Sequence, residues 1–196
     1  MGRFMNHKKW VVVLALIATA LILTHLPVSE ADAAVSASDF LIEGSTLTKY
    51  RGTDERVTIP DTVEVVGESA FENNQKVQLV VVPKSVKRMD AYVFWGCDNL
   101  EEVVLGKGLT SVDEYAFSGC TGLKQITIPE NVQSIDAQAF AGCTNLTDIY
   151  IPDTVTSIAD DAFLNCDNVT IHADEGSVAA KFAQKLAEQK LSLIHI

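Results

Sequence analysis

Four cysteines recur at equal spacing and are the first residues to consider for chemistry: Cys97, Cys120, Cys143 and Cys166. An even number of cysteines is compatible with disulfides in an exported protein. On stacked equivalent turns, however, their Cβ atoms would lie about 4.8 Å apart, beyond the roughly 3.5 to 4.5 Å of a disulfide. A linear column also cannot surround a tetrahedral metal ion, and there is no C-x-x-C pair. We therefore expect a column of buried free thiols and no metal or cofactor site.

Histidines and paired carboxylates offer little for catalysis. His172 and His195 are the histidines beyond the N-terminal segment, and neither has a serine, cysteine or carboxylate beside it in the order typical of a nucleophile and its base. The adjacent Asp160 and Asp161 are more typical of a solvated turn than of an acid-base or metal site. The sequence thus names no catalytic residue, and we expect a protein that is not an enzyme.

The composition is that of a folded, acidic protein. The 196 residues include 15 Lys and Arg against 26 Asp and Glu, which gives a formal charge of −11, and 47% of the residues are hydrophobic. The chain lacks the basic stripe that releases counterions from a phosphate backbone, so we expect no nucleic-acid partner.

The N-terminus resembles an export signal over residues 1–33. Arg3, Lys8 and Lys9 precede an apolar run from residue 10 to residue 23, and the small residues Ala31 and Ala33 mark a cleavage site. An uncut membrane anchor is the alternative, but the run is shorter than the roughly 20 residues that a spanning helix needs. We expect a secreted or cell-surface protein without a membrane span after signal removal.

A period of about 23 residues organises the rest of the chain. It is clearest in five phenylalanines, at Phe71, Phe94, Phe117, Phe140 and Phe163. One unit reads I-P-x-x-V-x-x-I-x-x-x-A-F-x-x-C-x-x-L-x-x-I-x. Such a unit cannot bury its own apolar face, so neighbouring units must stack as a solenoid. We predict an N-terminal cap and first strand over residues 34–59, five repeats over residues 60–174 and a C-terminal cap over residues 175–196.

This order of residues resembles the BspA-like leucine-rich repeat proteins, and the likeness covers residues 40–196. It includes the lead-in from Phe40 to Tyr50. The chain departs from the family pattern where Gly106 replaces the proline, Val93 the alanine and Asn74 the cysteine. The resemblance implies a right-handed leucine-rich-repeat solenoid, β-rich with short helical turns, and a parallel sheet on one face. It also implies secreted or surface-attached proteins of host-associated microbes, several of which are adhesins.

Both ends of a solenoid expose core and need caps. An N-terminal β cap is expected before the first repeat. At the other end, Ser177 can cap a helix whose apolar stripe is Val178, Phe182 and Leu186. Alternation in residues 191–196 predicts a short final strand.

The candidate binding surface is formed by strand residues that point away from the core. Inward positions hardly change between repeats, whereas outward ones do, and in leucine-rich repeats this sheet commonly binds partners. We expect an exposed apolar patch at Leu79, Val81 and Val104, although β propensity alone could place aliphatic residues there. A second surface at the turns could include Tyr92 and Trp95, together with Tyr115. The predicted partner-binding residues are Leu79, Val81, Glu102, Val104, Gln125, Thr127, Asp148 and Tyr150.

The sequence therefore predicts a non-catalytic, adhesin-like binding module, secreted or at the cell surface. Its partner would be an extracellular or host protein or a glycan. The alternative is a self-associating structural envelope protein, in which the apolar patch pairs with another copy.

Overall fold

Each repeat forms two short strands because apolar and polar residues alternate on either side of its Ile-Pro corner. The computed structural model describes the backbone of residues 36–194 and the side chains up to residue 188. The predicted signal peptide, residues 1–33, lies outside the described residues. In chain order the elements are β1 (Phe40–Glu43), β2 (Thr46–Tyr50), β3 (Arg56–Thr58), β4 (Val65–Val66), β5 (Leu79–Val81), β6 (Arg88–Met89), β7 (Glu102–Val104), β8 (Ser111–Val112), β9 (Gln125–Thr127), β10 (Ser134–Ile135), β11 (Asp148–Tyr150), β12 (Ser157–Ile158), β13 (Thr170–His172) and α1 (Val178–Ile194).

The strands build two sides of a solenoid of about six turns. The first side holds the parallel ladders β3-β5-β7 and β9-β11-β13, and the second side holds β2-β4-β6 and β8-β10-β12. The register follows the period of the sequence, since Leu79 pairs with Glu102 and Asp148 pairs with Gln125. The predicted leucine-rich-repeat solenoid is confirmed. On the first side the ladder is interrupted between β7 and β9, and on the second side between β6 and β8. The two interruptions therefore lie within one turn of each other.

Next to these interruptions, one repeat has Gly106 in place of the usual proline. Close backbone contacts at Gly106 and Gly108 explain the change. A Cβ at Gly106 would collide with the carbonyl oxygen of Pro83, and one at Gly108 would collide with that of Lys84. Only glycine therefore fits where the backbones of adjacent turns approach so closely. The glycine that replaces the repeat's proline therefore has a packing reason.

The third side consists of turns that deliver the phenylalanines to the core. Their main chains are hydrogen bonded from turn to turn, as in Phe94 N to Ala116 O and Phe117 N to Ala139 O, both 2.8 Å. Neighbouring phenylalanine rings lie 5.0 to 5.3 Å apart between centroids, also where the strand ladders divide. The five phenylalanines are buried, so the predicted core column is confirmed.

The N-terminal β cap is a hairpin that continues the second side. β1 and β2 are antiparallel, and β2 pairs in parallel with β4 through Leu47 and Val66. Tyr50 also extends the aromatic column, because its ring lies 5.0 Å from Phe71 and 5.1 Å from Phe40. The hairpin thus covers the first turn with both main-chain hydrogen bonds and aromatic packing.

The C-terminal cap is the helix α1. The hydroxyl of Ser177 accepts a hydrogen bond from Ala180 N at 3.1 Å, as predicted for its N-cap. The Phe182 ring is buried 5.8 Å from that of Phe163, which closes the aromatic column. None of the helices among residues 36–194 is long and apolar enough to span a membrane.

The strand predicted over residues 191–196 is wrong. The α-helix continues through Ile194, and residues 195 and 196 lie outside the described part. The chain from Val178 to Ile194 contains no glycine or proline. Once the helix is nucleated, each further residue adds a hydrogen bond at little cost, and this outweighs the short alternating pattern.

The cysteines form a buried column in which none is joined to another by a disulfide, as predicted. Each thiol donates a hydrogen bond to the carbonyl oxygen of a phenylalanine 26 residues earlier, as Cys97 does to Phe71 at 3.1 Å. Burial raises the pKa of Cys97 to about 12 and raises that of Cys120 well above its ordinary value. The thiolate, which is the reactive form, is therefore scarce in the folded protein.

We expect the four thiols to be unreactive in the folded protein and all reactive after denaturation. Titration with a thiol reagent at about pH 8, without reductant, measures both states. Denaturation removes the burial that raises the pKa, so four thiols should then react. Fewer than four reactive thiols in the denatured, unreduced protein would contradict the free-thiol column.

Candidate functional site

The first side presents a surface that we call the strand face, formed by the outward residues of its six strands. Each of the three-residue strands places its middle residue inward, as at Val80, Val103 and Ile126, which are buried. The flanking residues therefore point outward. The outward residues of neighbouring strands are in register, because Val81 pairs with Val104 and Tyr150 pairs with Thr127. The eight predicted binding residues all lie on this face, four on each of its two sheets.

The sheet β3-β5-β7 carries the apolar half of the strand face. Val104 is 43% exposed, whereas Leu79 and Val81 are half-buried. The prediction that all three would be exposed is therefore wrong for Leu79 and Val81. The reason is that β5 is the central strand, so outward side chains of both neighbouring strands cover it. Glu102, beside Val104 on β7, is exposed and gives this half a polar rim.

The sheet β9-β11-β13 carries a cluster of Asp148, Tyr150 and His172, which we call the Tyr150 cluster. The rings of Tyr150 and His172 stack 4.4 Å apart with an interplanar angle of 11°, and Tyr150 is 37% exposed. His172 Nε2 donates to Asp148 Oδ1 at 2.7 Å. This hydrogen bond, assisted by one from Thr147, lowers the pKa of Asp148, so that its carboxylate stays charged.

The Tyr150 cluster joins two predicted binding residues, Asp148 and Tyr150, to His172, which is not among the predicted binding residues. The contact between Asp148 and His172 is diagonal, between neighbouring strands whose paired residues are Asp148 with Thr170 and Tyr150 with His172. The repeat period identifies direct neighbours, but it does not show which diagonal pairs meet. The cluster offers an aromatic face, a carboxylate and an imidazole to a partner, and this combination suits stacking and hydrogen bonding.

The middle of the strand face is polar. Gln125 and Thr127 on β9 are exposed. Beside them, Lys124 and Glu101 form an exposed ion pair with Nζ to Oε2 at 2.7 Å. The strand face therefore passes from an apolar end through polar amide and hydroxyl groups to the Tyr150 cluster.

The second predicted surface lies at the turns of the third side, and its three aromatic residues differ in exposure. Tyr92 and Tyr115 are half-buried and stack with ring centroids 4.8 Å apart. Both have left-handed backbones, with φ of 60° and 55°, a conformation that is costly for bulky residues. Trp95 is 39% exposed beside them.

The remaining residues considered for chemistry either make structural contacts or lie outside the described residues. Asp160 is exposed and pairs with Lys185 of α1, Oδ1 to Nζ 2.6 Å, so it ties the helical cap to the last turn. Within residues 36–188, no three His, Cys, Asp or Glu side chains are close enough together to hold a metal ion. His195 lies outside the described residues.

Comparison with known proteins decides the family. The model of the BspA-type leucine-rich repeat region matches residues 49–170 in six copies. The chain belongs to the BspA-type leucine-rich repeat family. The predicted resemblance is thereby confirmed. No curated protein matches the sequence significantly.

Solved leucine-rich repeat structures from bacteria are similar to this chain in fold. A leucine-rich cell surface protein from Faecalibacterium prausnitzii is 33% identical with a TM-score of 0.66, over 70% of this chain and 37% of that protein. A leucine-rich repeat protein from T. pallidum is 27% identical with a TM-score of 0.67, over 70% of each chain. One from Bacteroides ovatus is 29% identical with a TM-score of 0.58, over 66% of this chain and 36% of that one. The chain thus matches little more than a third of the Faecalibacterium protein's length.

The BspA-type fold and these similarities indicate a binding or adhesin-like surface module. Leucine-rich-repeat solenoids are typically scaffolds that present extended surfaces for protein binding rather than enzymes. Proteins of this family are typically secreted or located at the cell surface.

Proposed function

We propose that this protein is exported and binds an extracellular or host protein or a glycan through the strand face, in the manner of an adhesin. The observation that carries the proposal is the strand face itself, which places exposed Val104 and exposed Tyr150 on the same side of the solenoid with polar groups between them. Tyrosine is enriched in binding hot spots. The mechanism is rigid presentation of this surface, without a chemical step.

The length of the strand face supports a macromolecular partner. From Val104 to Tyr150 the surface crosses two strand intervals, which at about 4.8 Å each span roughly 10 Å. Partners that contact both ends must be larger than a monosaccharide. Such an extended patch, with a polar centre and apolar or aromatic ends, offers a protein partner both apolar contacts and hydrogen bonds.

Self-association through the apolar half is the alternative. The half-burial of Leu79 and Val81 leaves Val104 as the exposed aliphatic residue of the predicted patch. This small apolar area favours a separate partner over a tight interface between copies.

The test uses a matched pair of double variants. Val104→Glu with Tyr150→Ser alters the strand face, and Leu164→Glu with Trp95→Ser makes the same kinds of change at exposed residues of the third side. Binding of the purified protein to an array of extracellular-matrix proteins and glycans is compared for both, with light scattering for oligomeric state. We expect the strand-face variant to lose at least about tenfold in affinity, and the control less than twofold.

The opposite pattern would overturn the proposal. Loss of binding in the Leu164 and Trp95 variant alone would place the site on the third side. Self-association would be favoured if the unaltered protein binds nothing on the array and forms concentration-dependent oligomers. These oligomers should dissociate in the strand-face variant, Val104→Glu with Tyr150→Ser.

A further inference from the structure

A basic cleft lies at the corner between the first and second sides, away from the strand face. Its volume is about 530 Å³, a size that accommodates a small ligand. All its residues lie in the connections between a strand of the first side and the next strand of the second side. The lining residues are Asp61, Lys84, Ser85, Lys87, Lys107, Gly108 and Asn131.

The charge of this cleft is opposite to that of the chain. Lys84, Lys87 and Lys107 contribute three positive charges against one negative charge from Asp61, in a chain whose formal charge is −11. The ion pairs among residues 36–188 use other groups, so none of these three lysines is in an ion pair there, and Asp61 supplies the one carboxylate among the lining residues.

The positive charge is confined to the turns that form the cleft. Lys84 and Lys107 occupy equivalent positions in adjacent turns, each directly after the proline or glycine at the corner. The same position carries a carboxylate in the other turns: Asp61, Glu130 and Asp153. Like charges in neighbouring positions repel each other, and a bound anion would remove that repulsion.

The walls of the cleft supply shape and an unsatisfied hydroxyl. Gly108 lines the cleft, and a Cβ there would collide with the backbone of the preceding turn. Asn131 Nδ2 donates to the carbonyl oxygen of Lys107 at 2.6 Å, which fixes the loop that carries this lysine. The hydroxyl oxygen of Ser85 is buried and has no hydrogen-bond partner among the described residues. Buried polar groups without partners are uncommon, and a bound ligand or water is one way of satisfying them.

From this geometry we infer that the cleft is a binding site for an oxyanion, the sulfate or phosphate ester group of a sugar-sized ligand. Three ammonium donors match a tetrahedral group with several charged oxygens. The inference is independent of the proposed function, since none of the lining residues of the cleft belongs to the strand face.

The test is a nuclear magnetic resonance titration of the purified protein with glucose 6-phosphate, glucose 6-sulfate and neutral glucose. We expect both esters, but not glucose, to shift the backbone amides of residues 84–87, 107–108 and 131. The tighter of the two esters identifies the source of the anion. Because the lysines are exposed, added NaCl should weaken binding.

Two variants of equal charge separate a site from general attraction. Lys84→Gln with Lys107→Gln removes two cleft lysines, and Lys76→Gln with Lys181→Gln removes two exposed lysines elsewhere. We expect at least a tenfold rise in Kd for the cleft variant and less than a twofold change for the control. Equal weakening in both variants, equal shifts with glucose, or no shift at about 10 mM of either ester would overturn the assignment.

Discussion

Phe117→Ala is expected to lower the free energy of unfolding by about 3 to 5 kcal/mol. The side chain is fully buried, and its ring stacks between those of Phe94 and Phe140 at 5.3 and 5.2 Å. Removing it leaves a cavity in the middle of the aromatic column, where turns on both sides are held in place by their own main-chain hydrogen bonds. The surroundings therefore cannot collapse to fill the space, which places the cost in the upper part of the range for core truncations.

Urea unfolding followed by circular dichroism measures this loss as a lower midpoint with an unchanged slope. Trp95→Ala is the matched control, because it removes a larger aromatic side chain that is 39% exposed. The control should lose less than about 1 kcal/mol. Similar losses for both substitutions would show that ring stacking in the column does not hold the turns together.

Deletion of residues 175–196 is expected to convert the protein into an aggregating one. Without α1, Phe163 and the last strands β12 and β13 lose the helix that packs on them. The open end of the last turn would expose apolar side chains and unpaired strand edges, which template association with other copies. The effect should be larger than that of any single substitution, since it removes the whole cap.

Size-exclusion chromatography with light scattering, together with thermal unfolding, tests the truncation. Phe182→Asp provides a less drastic variant, because it keeps the helix but places a charge in the buried contact with Phe163. Lys181→Gln is its control on the exposed face of the same helix. A soluble, monomeric truncation that melts cooperatively at the temperature of the full chain would refute the capping role.

The repeat made most of the fold predictable, because a strict period fixes which residues become neighbours. The spacing places Phe94 on Phe117 and Val81 beside Val104, and the structure has both. The spacing could not predict that Tyr50 joins the aromatic column, because Tyr50 does not lie one period before Phe71. The ring of Tyr50 joins the column because it packs against Phe71 at the end of the core, and its spacing in the sequence plays no part.

The repeat pattern could not predict how far an outward side chain is buried or which diagonal side-chain contacts form. Val81 and Val104 occupy the same position in the repeat, but neighbouring strands cover the first more than the second. The hydrogen bond of His172 with Asp148 depends on side-chain reach between the neighbouring strands β11 and β13. The binding role of these residues stays a prediction until the array experiment is done.

The division of the ladders leaves fewer paired strands between the two stacks of turns near the middle of the solenoid. The stability of a repeat protein is approximately the sum of its units and their nearest-neighbour contacts. Between β7 and β9, and between β6 and β8, the paired ladders on two sides are interrupted, while the aromatic column and the third side continue. The main-chain hydrogen bonds that join the two stacks of turns thus lie mainly along the third side. A partner that touches both Val104 and Tyr150 would clasp these stacks together, so that binding would raise the cooperativity of unfolding as well as the stability.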